Sequence, residues 1–138
     1  MNIDSITNGV VIDHITAGKG MKLYDLLGLD KLDCSVAIIK NVSSKKMGKK
    51  DIIKIDADIP VNLDVIGYVD PDVTVNIIKN SVLVDKHVIE IPEKLVNVIK
   101  CKNPRCITSC EQELDHIFKL TDKENKIYRC LYCETKAN

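Results

Sequence analysis

Residues 101–110 read CKNPRCITSC and residues 130–133 read CLYC, and these two stretches hold five of the chain's six cysteines. The first stretch opens with two cysteines that have four residues between them, and the second has two cysteines with two residues between them. Two cysteines in a tight turn can each direct a thiolate at one ion, and a second such turn completes the tetrahedron that Zn²⁺ favours. The spacing therefore predicts one structural zinc ion per chain. The predicted ligands are Cys101, Cys106, Cys130 and Cys133.

The cysteine pattern leaves one alternative ligand pair open. Cys106 with Cys110 is the rival to Cys101 with Cys106, although the Asn-Pro turn inside the latter pair makes it the tighter loop. A set of free or disulfide-bonded cysteines fits a reducing cytosol poorly. A closed shell of four thiolates has no open position for water or substrate, so the predicted site is structural and not catalytic. Cys34 is predicted to be a small buried hydrophobe.

The residues between the two cysteine pairs predict a β-hairpin. DHIFKLT (115–121) and KIYR (126–129) flank a polar turn, which would return the chain so that the pairs meet. The second part of the chain, residues 93–138, contains the single Phe and is too small to fold on a hydrophobic core alone. A metal is therefore expected to hold it together.

Composition changes near Pro92, from dense Val and Ile to cysteines and basic residues. The change predicts a first domain over residues 1–92 and a second over residues 93–138, joined by a short hinge around IPEKL (91–95).

The first part alternates predicted strands and helices in the order β-α-β-β-α-β, with one further strand. This order predicts an α+β fold, namely a ferredoxin-like antiparallel sheet with two helices on one face, followed by a small all-β zinc-binding domain. The predicted strands are NGVVIDHI (8–15), SVAIIKNV (35–42), DIIKIDAD (51–58), DVTVNIIKN (72–80) and VLVDKHVIEI (82–91), and the predicted helices are KGMKLYDLLGL (19–29, ended by Gly28) and PVNLDVIGYV (60–69).

Charge and hydropathy exclude several classes of protein. Lys and Arg total 20 and Asp and Glu total 20, and a protein that binds nucleic acid by bulk charge needs a net basic surface. The sequence contains no apolar run of the roughly 18 residues that a membrane helix needs. The start MNIDSITNGV lacks the basic and apolar segments of a secretory signal, so a cytoplasmic location is expected, with neither nucleic acid nor membrane as a partner.

Four motifs in succession carry a resemblance to a known family. They are GVVIDHI, MGKKDIIKI, TVNIIKN and the C-x₄-C…C-x₂-C pattern, and together they span nearly the whole chain. The chain resembles the regulatory chain of aspartate carbamoyltransferase. The resemblance implies a non-catalytic subunit that binds ATP and CTP, with or without UTP, and transmits allosteric control of pyrimidine biosynthesis to the catalytic chain. It also implies a regulatory homodimer within a dodecamer of six catalytic and six regulatory chains.

The resemblance also implies the nucleotide-binding residues. Asp13 and His14 match the family's Asp-His near ribose and phosphate, Lys54 matches the lysine near ribose and base, and Lys86 with Asn76 matches the pair at the triphosphate. Ser81 stands where some members have a Tyr near the base, which bears on base preference. Lys50 and Ile52 match neighbouring positions of the family's second motif, here MGKKDIIKI. Ile6 and Ile3 match the N-terminal residues that wall the base pocket.

Taken without the resemblance, these residues have plainer interpretations. Lys54 and Lys86 are then lysines that face outward from strands whose side chains alternate between the two faces of the sheet. Asp13 and His14 are adjacent on a strand and are predicted to point to opposite faces, which argues against a catalytic pair. The sequence has no Gly-rich phosphate loop, so any phosphate contact must come from side chains.

A nucleic-acid-binding zinc ribbon is the alternative function. It would use the basic residues beside the cysteines with aromatic side chains as stacking groups, but only 4% of residues are aromatic. An enzyme is disfavoured because no nucleophile–base pairing and no open metal position are predicted. The residues of this alternative are Lys102, Arg105, Arg129, Tyr128 and Tyr132.

Overall fold

The computed structural model describes residues 6–137, which form two compact units with a boundary between Ile91 and Pro92. No helix in residues 6–137 is long and apolar enough to cross a membrane. The N-terminal unit contains β1 (Gly9–Thr16), α1 (Gly20–Leu26), a 3₁₀ turn (Leu29–Lys31), β2 (Val36–Ser44), β3 (Gly48–Ile55), α2 (Leu63–Val69), β4 (Thr74–Lys79) and β5 (Val82–Val88). The C-terminal unit contains β6 (Lys94–Val96), α3 (Ile107–Cys110), β7 (Ile117–Asp122) and β8 (Ile127–Cys130).

The N-terminal unit has the predicted ferredoxin-like architecture. Its five strands pair in the order β2-β3-β1-β4-β5, and every pairing is antiparallel. The helix α1 ends just before Gly28, whose φ of 67° lies in the left-handed region that glycine adopts without steric cost. The predicted α+β fold with one extra strand is confirmed.

The hydrophobic core lies on one face of this sheet only. Alternate strand residues such as Val10, Ile53 and Val75 are fully buried and pack with Leu23 of α1 and Ile66 of α2. Because successive side chains of a strand point to opposite faces, the residues between these core positions share the other face. We call this second face, which the helices do not cover, the open face.

A buried carboxylate replaces an apolar residue at one core position of β3. Asp51 is fully buried and accepts backbone N–H hydrogen bonds from Gly18 (3.1 Å), Gly20 (3.1 Å) and Asn41 (3.0 Å). These donors offset the cost of burying the charge and tie the start of α1 and the irregular part of β2 to β3. A Cβ atom at Gly20 would lie 2.9 Å from Asp51 Oδ2, so only glycine fits there.

A β-bulge breaks the alternation of β1. The register between β1 and β3 shifts between Ile12 and Ile15, and His14 has a φ of 59°. His14 Nδ1 lies 3.3 Å from the hydroxyl oxygen of Thr74, which is the strand partner of Asp13. The prediction that Asp13 and His14 point to opposite faces is therefore wrong, since the bulge turns the His14 ring toward the face that carries Asp13.

The C-terminal unit is a three-stranded antiparallel sheet in the order β6-β7-β8. The predicted hairpin between the cysteine pairs is confirmed as β7 and β8, with Phe118 buried at its centre. Within the stretch predicted as a hinge, residues 91–95, Lys94 and Leu95 belong to β6 and pair with β7. The sequence reasoning also missed α3, a single helical turn beside the first cysteine pair.

The turn between β4 and β5 leads to a stability prediction. Asn80 (φ 53°) and Ser81 (φ 64°) form a two-residue loop with both residues left-handed, a geometry that favours Asn-Gly. We expect Ser81→Gly to stabilise the N-terminal unit by about 1 kcal/mol, since glycine relieves the strain of a side chain at positive φ. Urea denaturation measures the change. Ser43→Gly, at an exposed strand residue, should lower the stability of the same unit. A loss of stability in both variants would contradict the strain argument.

Candidate functional site

Four cysteine sulfurs converge in the C-terminal unit. The Sγ atoms of Cys101 and Cys133 are 3.5 Å apart, those of Cys106 and Cys130 are 3.6 Å apart, and all four lie within 4.8 Å of one another. A tetrahedron of sulfurs at about 2.3 Å from Zn²⁺ has edges of about 3.8 Å, so the cluster has the size and the donor atoms of a four-thiolate zinc site. These are the four predicted ligands.

The fold explains how residues distant in the chain form this cluster. The turn between Cys101 and Cys106 gives the first pair, and Cys130, the last residue of β8, opens the second turn, which closes with the Glu134 N–H donating to the Cys130 carbonyl at 2.9 Å. Cys110 is exposed, with its Sγ 3.9 Å from the Pro104 carbonyl oxygen, and lies outside the cluster. The geometry thus favours the first of the two ligand sets that the spacing left open.

Hydroxyl groups and burial make the four thiols unequal. The Thr135 hydroxyl lowers the pKa of Cys133 to about 6, and the Thr108 hydroxyl lowers the pKa of Cys106. Burial raises the pKa of Cys101 to about 12 and also raises the pKa of Cys130. A metal that binds all four as thiolates must therefore displace protons, above all from the two thiols whose pKa values are raised.

One residue of the nucleic-acid alternative is not available for that role. Tyr128 is 3% exposed, and its hydroxyl donates a hydrogen bond to the carbonyl oxygen of Pro92. A ring packed inside the C-terminal unit cannot stack on a base, so the structure removes one of the two proposed stacking groups.

A row of side chains crosses the open face of the N-terminal unit. Strand pairing makes Lys54 of β3, Val11 of β1, Asn76 of β4 and Lys86 of β5 successive cross-strand neighbours. Directly opposed residues of an antiparallel pair share one face, so all four project from the open face. The two lysines stand at the ends of the row, and an anion lying over its centre could contact both ammonium groups.

An ion pair lies next to this row on the same face. Lys50 Nζ is 2.9 Å from Asp13 Oδ1, and the His14 backbone N–H donates to the same oxygen at 2.6 Å. Burial acts to raise the pKa of Asp13, but the Lys50 ammonium and the His14 N–H outweigh it, so the pKa is lowered below its ordinary value. Asp13 is therefore an ionised acceptor at neutral pH, half-enclosed beside a cation.

This ion pair gives a direct titration prediction. We expect Lys50→Gln to raise the pKa of Asp13, because the substitution removes the ammonium and leaves the effect of burial. Because the Asp13 pKa is lowered in the folded state, its contribution to stability is present above the unfolded-state pKa of about 3.9 and is lost as the pH falls through the folded-state value. NMR titration of the Asp13 carboxyl carbon measures the pKa. Lys49→Gln, on the exposed neighbouring residue, is the matched control, and an equal shift in both variants would contradict the pairing.

The predicted apolar members of the site occupy different parts of the unit. Ile52 lies on the open face opposite Ile39 of β2. Ile6 packs over the start of β1, where a Cβ atom at Gly9 would lie 2.8 Å from Ile6 Cγ2. Ile3 is outside the described residues. Ser81 donates its backbone N–H to the Thr7 carbonyl at 2.8 Å, so the segment that follows Ile6 contacts the β4–β5 turn.

Sequence reasoning missed the hydrogen-bond partners of the cluster cysteines. Thr108 and Thr135 each follow a cysteine of the cluster by two residues, so C-x-T after each cysteine pair is the signal that could have indicated them. The contact of His116 Nδ1, which accepts the Cys101 backbone N–H at 3.3 Å, has no such local signal, because the two residues are 15 positions apart in the chain and meet only in the folded unit.

Comparison with known proteins agrees with the geometry of both units. The family model for the aspartate carbamoyltransferase regulatory chain, allosteric domain, matches residues 1–90, and that for its metal binding domain matches residues 93–138. Similar curated proteins are the aspartate carbamoyltransferase regulatory chains of Clostridium botulinum (49% identical, covering 97% of this chain and 92% of the relative) and Clostridium tetani (48%, covering 97% and 94%). The corresponding Bifidobacterium longum chain is 41% identical over 99% of both sequences.

The chain belongs to the aspartate carbamoyltransferase regulatory chain family.

As an aspartate carbamoyltransferase regulatory chain, the protein has an allosteric domain and a metal-binding domain. The row of Lys54, Asn76 and Lys86 lies in the part that matches the allosteric domain, and the four-cysteine cluster lies in the part that matches the metal-binding domain. The resemblance that the four sequence motifs carried is confirmed.

Proposed function

We propose that this regulatory chain binds ATP and CTP, with or without UTP, on the open face of its N-terminal unit and transmits their effect to the catalytic chains of aspartate carbamoyltransferase. The observation that carries the proposal is the row Lys54–Val11–Asn76–Lys86, which sets two cations and an amide on the one sheet face that the helices leave uncovered. Control of pyrimidine biosynthesis in the cytoplasm, by a subunit without catalytic activity of its own, follows from this role.

The chemistry of the open face suits a nucleoside triphosphate. The triphosphate is a polyanion, for which Lys86 and Lys54 supply positive charge and Asn76 a neutral amide donor. Asp13, ionised and only partly enclosed, is an acceptor for ribose hydroxyls, and His14 lies beside it on the same face. The proposed nucleotide-binding residues also include Lys50, Ile52 and Ile6.

Zn²⁺ is the metal that we propose for the C-terminal unit. Cys101, Cys106, Cys130 and Cys133 would hold it, and four soft thiolates in a tetrahedron select zinc over hard cations such as Mg²⁺. When bound, the ion supplies structural cross-linking and no catalytic chemistry, since all four positions are filled by protein. The unit so held is proposed to dock the catalytic chain.

Allosteric control requires unequal binding to two quaternary states. A nucleotide shifts an equilibrium only by its differential affinity for the two states, and couplings of this kind are typically about 1–3 kcal/mol. A purine is larger than a pyrimidine and would displace the wall that Ile6 forms over β1. We propose that this displacement distinguishes ATP from CTP, within an assembly of regulatory homodimers that link six catalytic and six regulatory chains.

Calorimetric titration and co-assembly test this function. We expect saturable binding of ATP and CTP to the purified chain, and co-elution with an aspartate carbamoyltransferase catalytic chain that a zinc chelator abolishes. A random oligonucleotide is the control ligand. Salt-dependent oligonucleotide binding in the absence of nucleotide binding would instead support the zinc-ribbon alternative.

A further inference from the structure

Each cysteine pair of the metal cluster carries one threonine hydroxyl against a sulfur. Thr108 Oγ1 lies 3.1 Å from Cys106 Sγ, and Thr135 Oγ1 lies 3.2 Å from Cys133 Sγ. Thr108 is 3% exposed, and a buried hydroxyl is costly unless it has a hydrogen-bond partner, which the sulfur provides. The two contacts repeat the same C-x-T arrangement in both halves of the site.

The Asn103 amide determines which way the Thr135 hydroxyl points. The Arg105 backbone N–H donates to Asn103 Oδ1 at 3.0 Å, so the amide nitrogen is the group that faces Thr135 Oγ1, at 3.4 Å. The Thr135 oxygen therefore accepts from Asn103, and its own hydrogen remains for Cys133. Asn103 belongs to the first cysteine turn and Thr135 follows the second, so this chain of hydrogen bonds joins the two halves of the site.

Binding of a metal settles the direction of both threonine contacts. A neutral thiol can donate to a hydroxyl oxygen, but a metal-bound thiolate has no proton, so the hydroxyl must donate to the sulfur. We propose that Thr135 and Thr108 are positioning residues of the metal site, each donating one hydrogen bond to a ligated thiolate, with Asn103 orienting Thr135. This inference rests on the proposed four-thiolate metal site.

The bond to Cys133 has the larger consequence because Cys133 is the most exposed residue of the four. Cys133 is half-buried, whereas the other three ligands are buried. A hydrogen bond to a thiolate withdraws electron density from the sulfur and lowers its nucleophilicity. Thr135 thus protects the ligand at which an electrophile would first attack the site.

The full-length chain loaded with Co²⁺ provides the test. Co²⁺ reports thiolate ligation through its sulfur-to-metal charge-transfer absorption. We expect Thr135→Val to shift this band to longer wavelength and to raise the rate of alkylation of Cys133 by iodoacetamide in the zinc-loaded chain about 3- to 10-fold. Thr135→Ser keeps the hydroxyl and should match the wild type. Asn103→Ala, which removes the orienting donor, should show the same changes to a smaller extent.

Thr121→Val is the matched control, because Thr121 donates to the Ile127 carbonyl (3.3 Å) in the same unit and is not among the cluster residues. A Thr135→Val chain whose band and alkylation rate equal those of Thr121→Val overturns the inference while leaving the metal site intact. A wild-type chain without the charge-transfer band overturns the metal site itself. If Thr135→Val does not fold, Asn103→Ala decides by the same two readouts, and Thr108→Val, whose hydroxyl contacts Cys106, decides by the charge-transfer band.

Discussion

Removal of the metal by a chelator is expected to unfold residues 93–138 while the five-stranded sheet of the N-terminal unit keeps its structure. The C-terminal unit has a core of few large residues, chiefly Leu95, Phe118 and Tyr128, and its β-sheet has three strands. A unit of this size has little net stability of its own, whereas structural zinc sites contribute about 10–16 kcal/mol of apparent binding free energy. We therefore expect a bound metal to decide whether this unit folds.

NMR spectra with and without the chelator measure this effect. Without metal, the amide signals of β6, β7 and β8 should collapse to the narrow dispersion of an unfolded chain, while the signals of the core residues Ile53 and Val75 should persist. Added Zn²⁺ should restore the dispersed signals of β6, β7 and β8. Cys130→Ser should reproduce the metal-free spectrum. Cys110→Ser makes the same chemical change outside the cluster and should bind metal normally. A dispersed β7–β8 spectrum from metal-free Cys130→Ser would show that the metal is not what holds the unit together.

Replacement of the two lysines at the ends of the open-face row is expected to cost most of the affinity for triphosphates. A charge-assisted contact is worth about 1.5–3 kcal/mol, so Lys54→Gln and Lys86→Gln should each weaken binding at least about tenfold. The two lysines are separated by Val11 and Asn76 and do not contact each other as strand partners, so the double variant should lose roughly the product of the single effects.

Controls of equal charge separate contact from bulk electrostatics. Lys49→Gln removes an exposed lysine from the same strand as Lys54 but from the opposite face, and Lys79→Gln removes a β4 lysine paired with Asp58 at 3.7 Å. Calorimetry should show that these variants bind ATP and CTP with nearly the affinity of the wild type. The unphosphorylated nucleosides should bind Lys86→Gln and the wild type alike. Equal losses in all four lysine variants would mean that general positive charge, and not the row, attracts the nucleotide.

Local sequence signals predicted much of the fold because they act over a few residues. Gly28 ends α1 through its own backbone freedom, and the order of strands and helices follows from apolar periodicity. The cysteine spacing predicted a cluster that the structure indeed contains, since each pair occupies one short turn and a single hairpin brings the pairs together.

Features that depend on contacts between distant segments were not predictable in the same way. The bulge that turns His14 toward Thr74 arises from the pairing of β1 with β3, and alternation alone places that ring on the wrong face. Asp51 is the first residue of a predicted strand in the sequence, yet its carboxylate is buried and accepts three N–H groups from two separate segments, the start of α1 and β2. The link from Asn103 to Thr135 joins residues 32 positions apart.

The sequence by itself determined the class of fold, the four-cysteine cluster and, through its motifs, the family. Only the tertiary structure decided that Lys54, Val11, Asn76 and Lys86 form one row, because a row across four strands requires three inter-strand registers to agree. A shift of one residue in any register would move a side chain to the helix-covered face. Those registers come from packing of the whole core, which no single segment encodes.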